Sequence, residues 1–140
     1  MKGAPNYEVT VPTHTLGQQV QCIVSAALEV HFHLGPGYLE AVYQEALALE
    51  FALRGVPYTR EVHIPIAYKG QRLNFSFRAD FICYSTIVVE IKAVLGLLRK
   101  DDPQLRGYLN ATGKVHGLMI NFGAPRLQFK RILHAFTTSG

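Results

Sequence analysis

Cysteine is scarce in this 140-residue chain, and the two that occur, Cys22 and Cys83, stand far apart and form no C-x-x-C pair. A disulfide framework or an all-cysteine metal or cluster site is therefore not expected, and a cytoplasmic, reducing setting is the natural expectation. No apolar run approaches the length of a membrane span, and the opening MKGAPNYEVTVPTHT has no apolar signal-peptide core. A membrane is thus not an expected partner. The chain also lacks internal repeats, low-complexity tracts and linkers. Its length fits a lead-in over residues 1–12 and one folded domain over residues 13–140, and an apolar content of 49% is enough for a core without staples.

Acidic residues nearly vanish from the C-terminal part. Residues 92–140 hold two Asp/Glu against eight Lys/Arg, whereas residues 1–91 hold eight against six, within a net charge of +4. A basic half fits a polyanionic partner such as nucleic acid. A surface that is merely solvated and basic gives the same count.

Periodicity outlines the elements. Leu16, Val20, Ile23, Val24, Ala27 and Leu28 form a helical stripe, which predicts a first helix over residues 14–34, with Gly35 as its cap and Pro36 beyond it. A second helix is predicted from residue 37 or 38 to residue 55, with Leu39, Val42, Ala46 and Leu53 as its apolar face. Strands are predicted over residues 60–68, 73–83 and 86–94, with Lys69–Gly70 as a turn and the last two strands as a hairpin. A short helix starts at Asp101-Asp102-Pro103 and ends near Gly113. Two closing strands fall at 115–121 and 127–133. The order α-α-β-β-β-α-β-β predicts an α/β fold, a mixed β-sheet flanked by helices.

The segment RADFICYSTIVVEIKA is the most informative stretch. Alternation along a strand sends Glu90 and Lys92 to one face and Val89 and Ile91 to the other, into core. Asp80 and Glu90 are equidistant from Ser85, where the hairpin turn centres, so they lie opposite each other or within one residue of that. Two carboxylates side by side on neighbouring strands repel, and either a shared proton or a bound cation offsets the repulsion. One or two carboxylates with phosphate oxygens are the chemistry of a Mg²⁺ site, which activates water and polarises phosphate. Lys92 beside the acids can hold the attacking water or balance charge in the transition state. The plainer alternative is a Glu90–Lys92 ion pair on a half-exposed strand.

Asp80 with Glu90-Ile91-Lys92 on a hairpin resembles the core of the PD-(D/E)xK nuclease superfamily, although Ala79 stands where that motif's name has proline. Gly37-Tyr38-Leu39-Glu40-Ala41-Val42-Tyr43 matches the signature of its GxxExxY family. The likeness runs from about Leu16 to Leu133 through VHFHLGPGYLEAVYQEAL, the YKG turn, RADF, VVEIKAV, QLRGYLNATG and GLMINFGAP. The resemblance implies a restriction-endonuclease-like core and a Mg²⁺- or Mn²⁺-dependent nuclease. In that reading Asp80 and Glu90 bind the metal, a helix-borne acid, Glu40, completes the site, and Lys92 stabilises or positions. Glu50 is the alternative to Glu40, and Glu45 reads as solvated.

The spacing of Gln104 and Tyr108 places them on one helical face. It resembles the extra motif of RecB-like nucleases, where the glutamine orients the site and the tyrosine supports substrate contacts. Asp101-x-x-Gln104 is also a capping-box spacing. His31, favoured at a helix end by the dipole alone, is by the same resemblance a metal-site candidate. Arg99, Lys100, Arg106 and Lys114 around the short helix, and Arg126, Lys130 and Arg131 on the last strand, are candidate phosphate contacts. DNA is expected ahead of RNA, and a homodimer is compatible with the chain. A nucleic-acid-binding or regulatory module with weak or no catalysis is the alternative, because a fold does not by itself specify an activity.

Overall fold

Helix α1 (Leu16–Leu34) begins at Thr15 with a reciprocal capping box: the Thr15 hydroxyl accepts from the Gln18 N–H, and the Gln18 side chain accepts from the Thr15 N–H. The computed structural model describes residues 14–96, 103–114 and 116–133. After α1 come α2 (Glu40–Arg54), β1 (Tyr58–Tyr68), β2 (Gln71–Cys83), β3 (Ile87–Lys92), α3 (Pro103–Thr112), β4 (His116–Asn121) and β5 (Gln128–Leu133). This is the predicted element order, with small shifts at the ends. The five strands form one sheet in sequence order. Every neighbouring pair is antiparallel except β3 and β4, whose parallel pairing requires a crossover, supplied by α3.

The sheet is covered on both faces. On one, Phe81, Cys83, Val89, Ile91, Leu118 and Ile120 join the buried sides of α1 and α2. On the other, Ala79, Ile82, Val88 and Met119 meet Leu105, Tyr108 and Leu109 of α3. The chain thus forms an α/β sandwich around a mixed sheet, as the order of elements predicts. Burial pushes the Cys83 thiol up from 9.0 to about 12. Both cysteines are free.

The predicted helix faces need correction. Val20, Ile23, Val24 and Ala27 are buried as expected, but Leu28 is exposed. On α2 the buried side is Tyr43, Gln44, Leu47, Ala48 and Phe51, whereas the predicted Leu39, Val42 and Leu53 are exposed. Aromatic and small residues fill the space over the sheet, and the regular leucine row faces outward.

Alternation along β1 and β2 changes side at one place. Tyr58 packs with the α1/α2 layer and Val62 and Ile64 with the α3 layer. On β2, Phe77 and Ala79 belong to the α3 layer but Phe81 and Cys83 to the α1/α2 layer. Strict alternation would keep all four β2 residues on one face. The switch occurs at Glu61, with φ of 54°, and at Asp80, the position facing it between the pairs Arg60–Phe81 and Val62–Ala79. Asp80 therefore stands at the point where the sheet turns over.

Candidate functional site

The β2–β3 ladder pairs Cys83 with Ile87, Ile82 with Val88 and Phe81 with Val89. These pairs are centred on Ser85, and the ladder ends at Phe81–Val89, one step before Asp80 and Glu90. The turn supporting it has positive φ at Tyr84 and Ser85 and a Thr86 N–H bond to the Cys83 carbonyl, the geometry of a primed hairpin turn.

Beyond Phe81 the main-chain pairing stops, and the Asp80 carboxylate takes its place. Its Oδ2 accepts the Ile91 N–H at 2.8 Å, and its Oδ1 accepts from Gln44 Nε2 at 2.7 Å. Gln44 is buried on α2, and its own Oε1 accepts from Arg60 Nε at 2.8 Å. Arg60 also reaches Glu45 at 3.4 Å. A chain Arg60–Gln44–Asp80–Ile91 thus fixes the carboxylate between β1, α2 and β3. Sequence reasoning missed Gln44 and Arg60. The available signal was a glutamine on the core side of α2, four residues after Glu40. Gln44→Leu removes both bonds while keeping apolar bulk. It is expected to cost about 1–3 kcal/mol, the penalty for stranding a poorly hydrated donor or acceptor, measured by urea denaturation.

Glu90 and Lys92 are half-buried, while Val89 and Ile91 are buried among α1 and α2. Alternation puts Glu90 and Lys92 on the α3 face with Val88. Across β3 and β4, Glu90 aligns with Met119 and Lys92 with Asn121. Across β4 and β5, Met119 aligns with Lys130 and Asn121 with Gln128.

Asn121, fully buried, organises the exit from β3. Its Oδ1 accepts from Val94 N–H at 2.9 Å and Gly123 N–H at 3.0 Å. Its Nδ2 donates to the Val94 carbonyl at 3.0 Å and to Gln128 Oε1 at 2.9 Å. Both ends of the amide are satisfied, and the segment after Lys92 is held against the end of β4.

The residues of the G-x-x-E-x-x-Y motif divide between frame and surface. Gly37 has φ of 114°, a conformation that side chains rarely adopt. The Tyr43 hydroxyl donates to the Gly35 carbonyl and accepts from the Tyr38 N–H, and its ring stacks on Phe122 at 4.7 Å. Glu40 lies exposed in the first turn of α2, one turn before Gln44.

Among the described residues no group of three or more His, Cys, Asp and Glu converges closely enough to share a metal ion. The expected set of Asp80, Glu90, Glu40 and His31 is therefore not assembled. His31 Nε2 lies 2.9 Å from the Ala124 carbonyl, so it carries the proton and donates, tying α1 to the segment after β4. Glu50, the alternative to Glu40, is paired with Arg54, whose other nitrogen bonds Ser25 of α1.

The α3 candidates also sit differently from expectation. Gln104 lines a groove between α3 and Pro65, Ile66 and Ala67 of β1, and none of Asp80, Glu90 and Lys92 lines it. Tyr108 is buried, and its ring lies against Phe77. Lys114 Nζ bonds the Ser85 carbonyl at 2.8 Å, and Arg106 bonds the Leu133 carbonyl at 3.2 Å. Ile87, His116 and Leu133 align across the sheet at the end opposite Lys92. The distance along β3 from Ile87 to Lys92 is about 16 Å at ~3.3 Å per residue. Arg106 and Lys114 thus lie at the far end from the acids. Arg99 and Lys100 lie outside the described residues.

The chain matches the PD-(D/E)XK nuclease superfamily over residues 17–132, and it belongs to that superfamily. No curated protein matches it. Among solved structures, the crystal structure of SSO0001 is similar at 20% identity and a TM-score of 0.44, with 84% of this chain and 66% of that one covered. This chain therefore spans just under two thirds of that structure's length. No described helix is long and apolar enough to cross a membrane.

Proposed function

We propose that the chain is a divalent-metal-dependent nuclease of the GxxExxY branch that hydrolyses phosphodiester bonds, DNA ahead of RNA. The observation that supports this reading is the bond from the Ile91 N–H to the Asp80 carboxylate, at the residue between Glu90 and Lys92, on a hairpin whose ladder ends one step before Asp80 and Glu90. Superfamily membership supports the reaction class.

The donor chemistry suits Mg²⁺ or Mn²⁺, because both ligands offered are hard carboxylate oxygens. Each Asp80 oxygen accepts one neutral N–H and keeps a further lone-pair site. Among the described residues no Lys, Arg or His pairs with Asp80. Its negative charge is oriented without being cancelled. Two protein carboxylates fall within the usual set for Mg²⁺, which keeps several waters. When bound there, the ion supplies Lewis-acid polarisation of phosphate and acidification of water.

The other roles belong to the chain. Asp80 is held in place through Gln44 and Arg60. Lys92 places an ammonium where the phosphate gains negative charge. Arg126, exposed after β4, and Lys130, on the row of Glu90 and Met119, lie towards the Lys92 end of the sheet and are the better candidates for phosphate contact. Glu40 at the exposed start of α2 is kept as a residue at the rim.

The alternative, a binding module without catalysis, gains weight because a third acidic or histidine ligand does not join the described pair. Incubating the protein with labelled single- and double-stranded DNA and RNA, with Mg²⁺, Mn²⁺ or chelator, separates the two. Metal-dependent fragments that chelator abolishes are expected. Retained binding without cleavage on every substrate selects the binding module.

A further inference from the structure

Strand β2 is longer than its place in the sheet requires. Only Phe81, Ile82 and Cys83 pair with β3, whereas the pairs of Gln71, Arg72 and residues 76–79 are all with β1. Beyond Asp80 the two strands therefore continue as a two-stranded ribbon, on the side of the β2–β3 hairpin where Lys92 lies. Over residues 62–68 it is about 23 Å long at ~3.3 Å per residue. Lys69 and Gly70, with φ of 51° and 77°, form the primed turn that keeps its tip narrow. The base of the ribbon packs with α3 through Val62, Ile64, Phe77 and Ala79. Two residues from Phe77, Phe75 is 75% exposed, and Tyr68 beside the turn is 61% exposed.

The charge on the ribbon has one sign. Residues 62–79 contain no Asp or Glu and carry Lys69, Arg72 and Arg78. Arg78 lies 3.9 Å from Glu61 at the base. Among the described residues neither Lys69 nor Arg72 pairs with an acid. An exposed segment that is acid-free, cationic and aromatic is complementary to nucleic acid.

We infer that the β1–β2 ribbon is an arm that enters the major groove of duplex DNA. That groove is about 12 Å wide and admits a two-stranded ribbon. Gln71, Arg72 and Asn74, all exposed towards the tip, are the side-chain types that read base edges there, Arg on guanine and Gln or Asn on adenine. Phe75 offers apolar contact to a thymine methyl. The major groove of A-form RNA is too deep and narrow for side chains to read, so the arm favours duplex DNA over duplex RNA. The arm parts from β3 at Asp80, and a duplex held by it lies beside that carboxylate. The inference deepens the reading above and rests on it for nucleic acid as the ligand.

Binding of the full chain to fluorescent 20-base-pair duplexes, in chelator so that no strand is cut, tests the arm. Circular dichroism verifies the fold of each variant. Wild type is expected to bind duplex DNA roughly 10-fold or more tightly than duplex RNA of the same sequence. Arg72→Ala and the Gln71→Ala/Asn74→Ala pair should each weaken duplex DNA binding roughly 10-fold, the worth of one base-edge contact, and leave duplex RNA binding unchanged. On an A·T-rich duplex, methyl green, which fills the major groove, should displace the protein. Equal losses on duplex RNA reduce the ribbon to a general cationic surface and overturn the groove assignment. Losses confined to single-stranded DNA make it a stacking platform and overturn it equally. Displacement by the minor-groove ligand distamycin alone, or variants that bind like wild type, also overturn it. The same proteins are then given Mg²⁺ or Mn²⁺. The expected binding pattern without fragments keeps the arm and removes catalysis, whereas fragments with an affinity indifferent to Arg72, Gln71 and Asn74 remove the arm alone.

Discussion

Asp80→Asn is expected to lower metal-dependent cleavage by roughly 10²-fold or more, the size of effect when one preorganised electrostatic group is lost. The substitution keeps the shape but removes the charge, and it can turn an amide N–H toward the Gln44 or Ile91 donors that the carboxylate now accepts from. Metal affinity should fall in parallel, read by calorimetric titration with Mn²⁺. Glu90→Gln and Lys92→Ala are expected to reduce cleavage to a similar extent, but metal-free binding to nucleic acid should separate them. Glu90→Gln removes a charge that repels phosphate, so affinity holds or rises, whereas Lys92→Ala weakens it. Unchanged Mn²⁺ binding in Asp80→Asn would remove this residue from the metal site. Wild-type cleavage rates in all three variants would remove the whole constellation.

The hairpin was legible because it depends on strand alternation and turn symmetry, both local, and its pairs Cys83–Ile87, Ile82–Val88 and Phe81–Val89 are centred on Ser85. The element order was legible for the same reason: helix periodicity, the Lys69–Gly70 turn and Pro103 at the start of α3 act over a few residues. What could not be read depends on tertiary direction. The outward row of α2 has cleaner periodicity than its buried side, which mixes Tyr43, Gln44, Leu47, Ala48 and Phe51. Periodicity finds a stripe but does not say which stripe faces the sheet. Arg106 and Lys114, candidate phosphate contacts by their place around the short helix, bond to the sheet end opposite Lys92, which the sequence does not show. The side change at Glu61 and Asp80 breaks the alternation on which strand reasoning relies.

The motif residue Tyr43 reaches the Lys92 backbone through Phe122, whose ring it stacks on and whose N–H bonds the Lys92 carbonyl. Tyr43 closes the loop between α1 and α2 and stacks on Phe122, and His31 holds the Ala124 carbonyl. Between those anchored residues lies Gly123, where an added Cβ would stand 2.5 Å from Ala93 C and Val94 N and 2.6 Å from Val94 O. Normal carbon contacts need about 3.5–4.0 Å, and all three obstructing atoms are backbone, which cannot rotate aside. Gly123→Ala must therefore push the β3 exit away from β4. That movement strains the Asn121 bonds to Val94 and the bond from Phe122 N–H to the Lys92 carbonyl. The expected cost is at least about 3 kcal/mol, at the upper end for overpacking because several hydrogen bonds are lost with it. Urea denaturation measures the cost, and any folded fraction should show weakened cleavage, since Lys92 immediately precedes the displaced residues. Asn121→Ala should move stability the same way but less, because it removes the tie without introducing a clash. A loss below about 1 kcal/mol for Gly123→Ala would mean that the two strand exits do not touch in solution, and that the motif's hold on Lys92 does not run through Gly123.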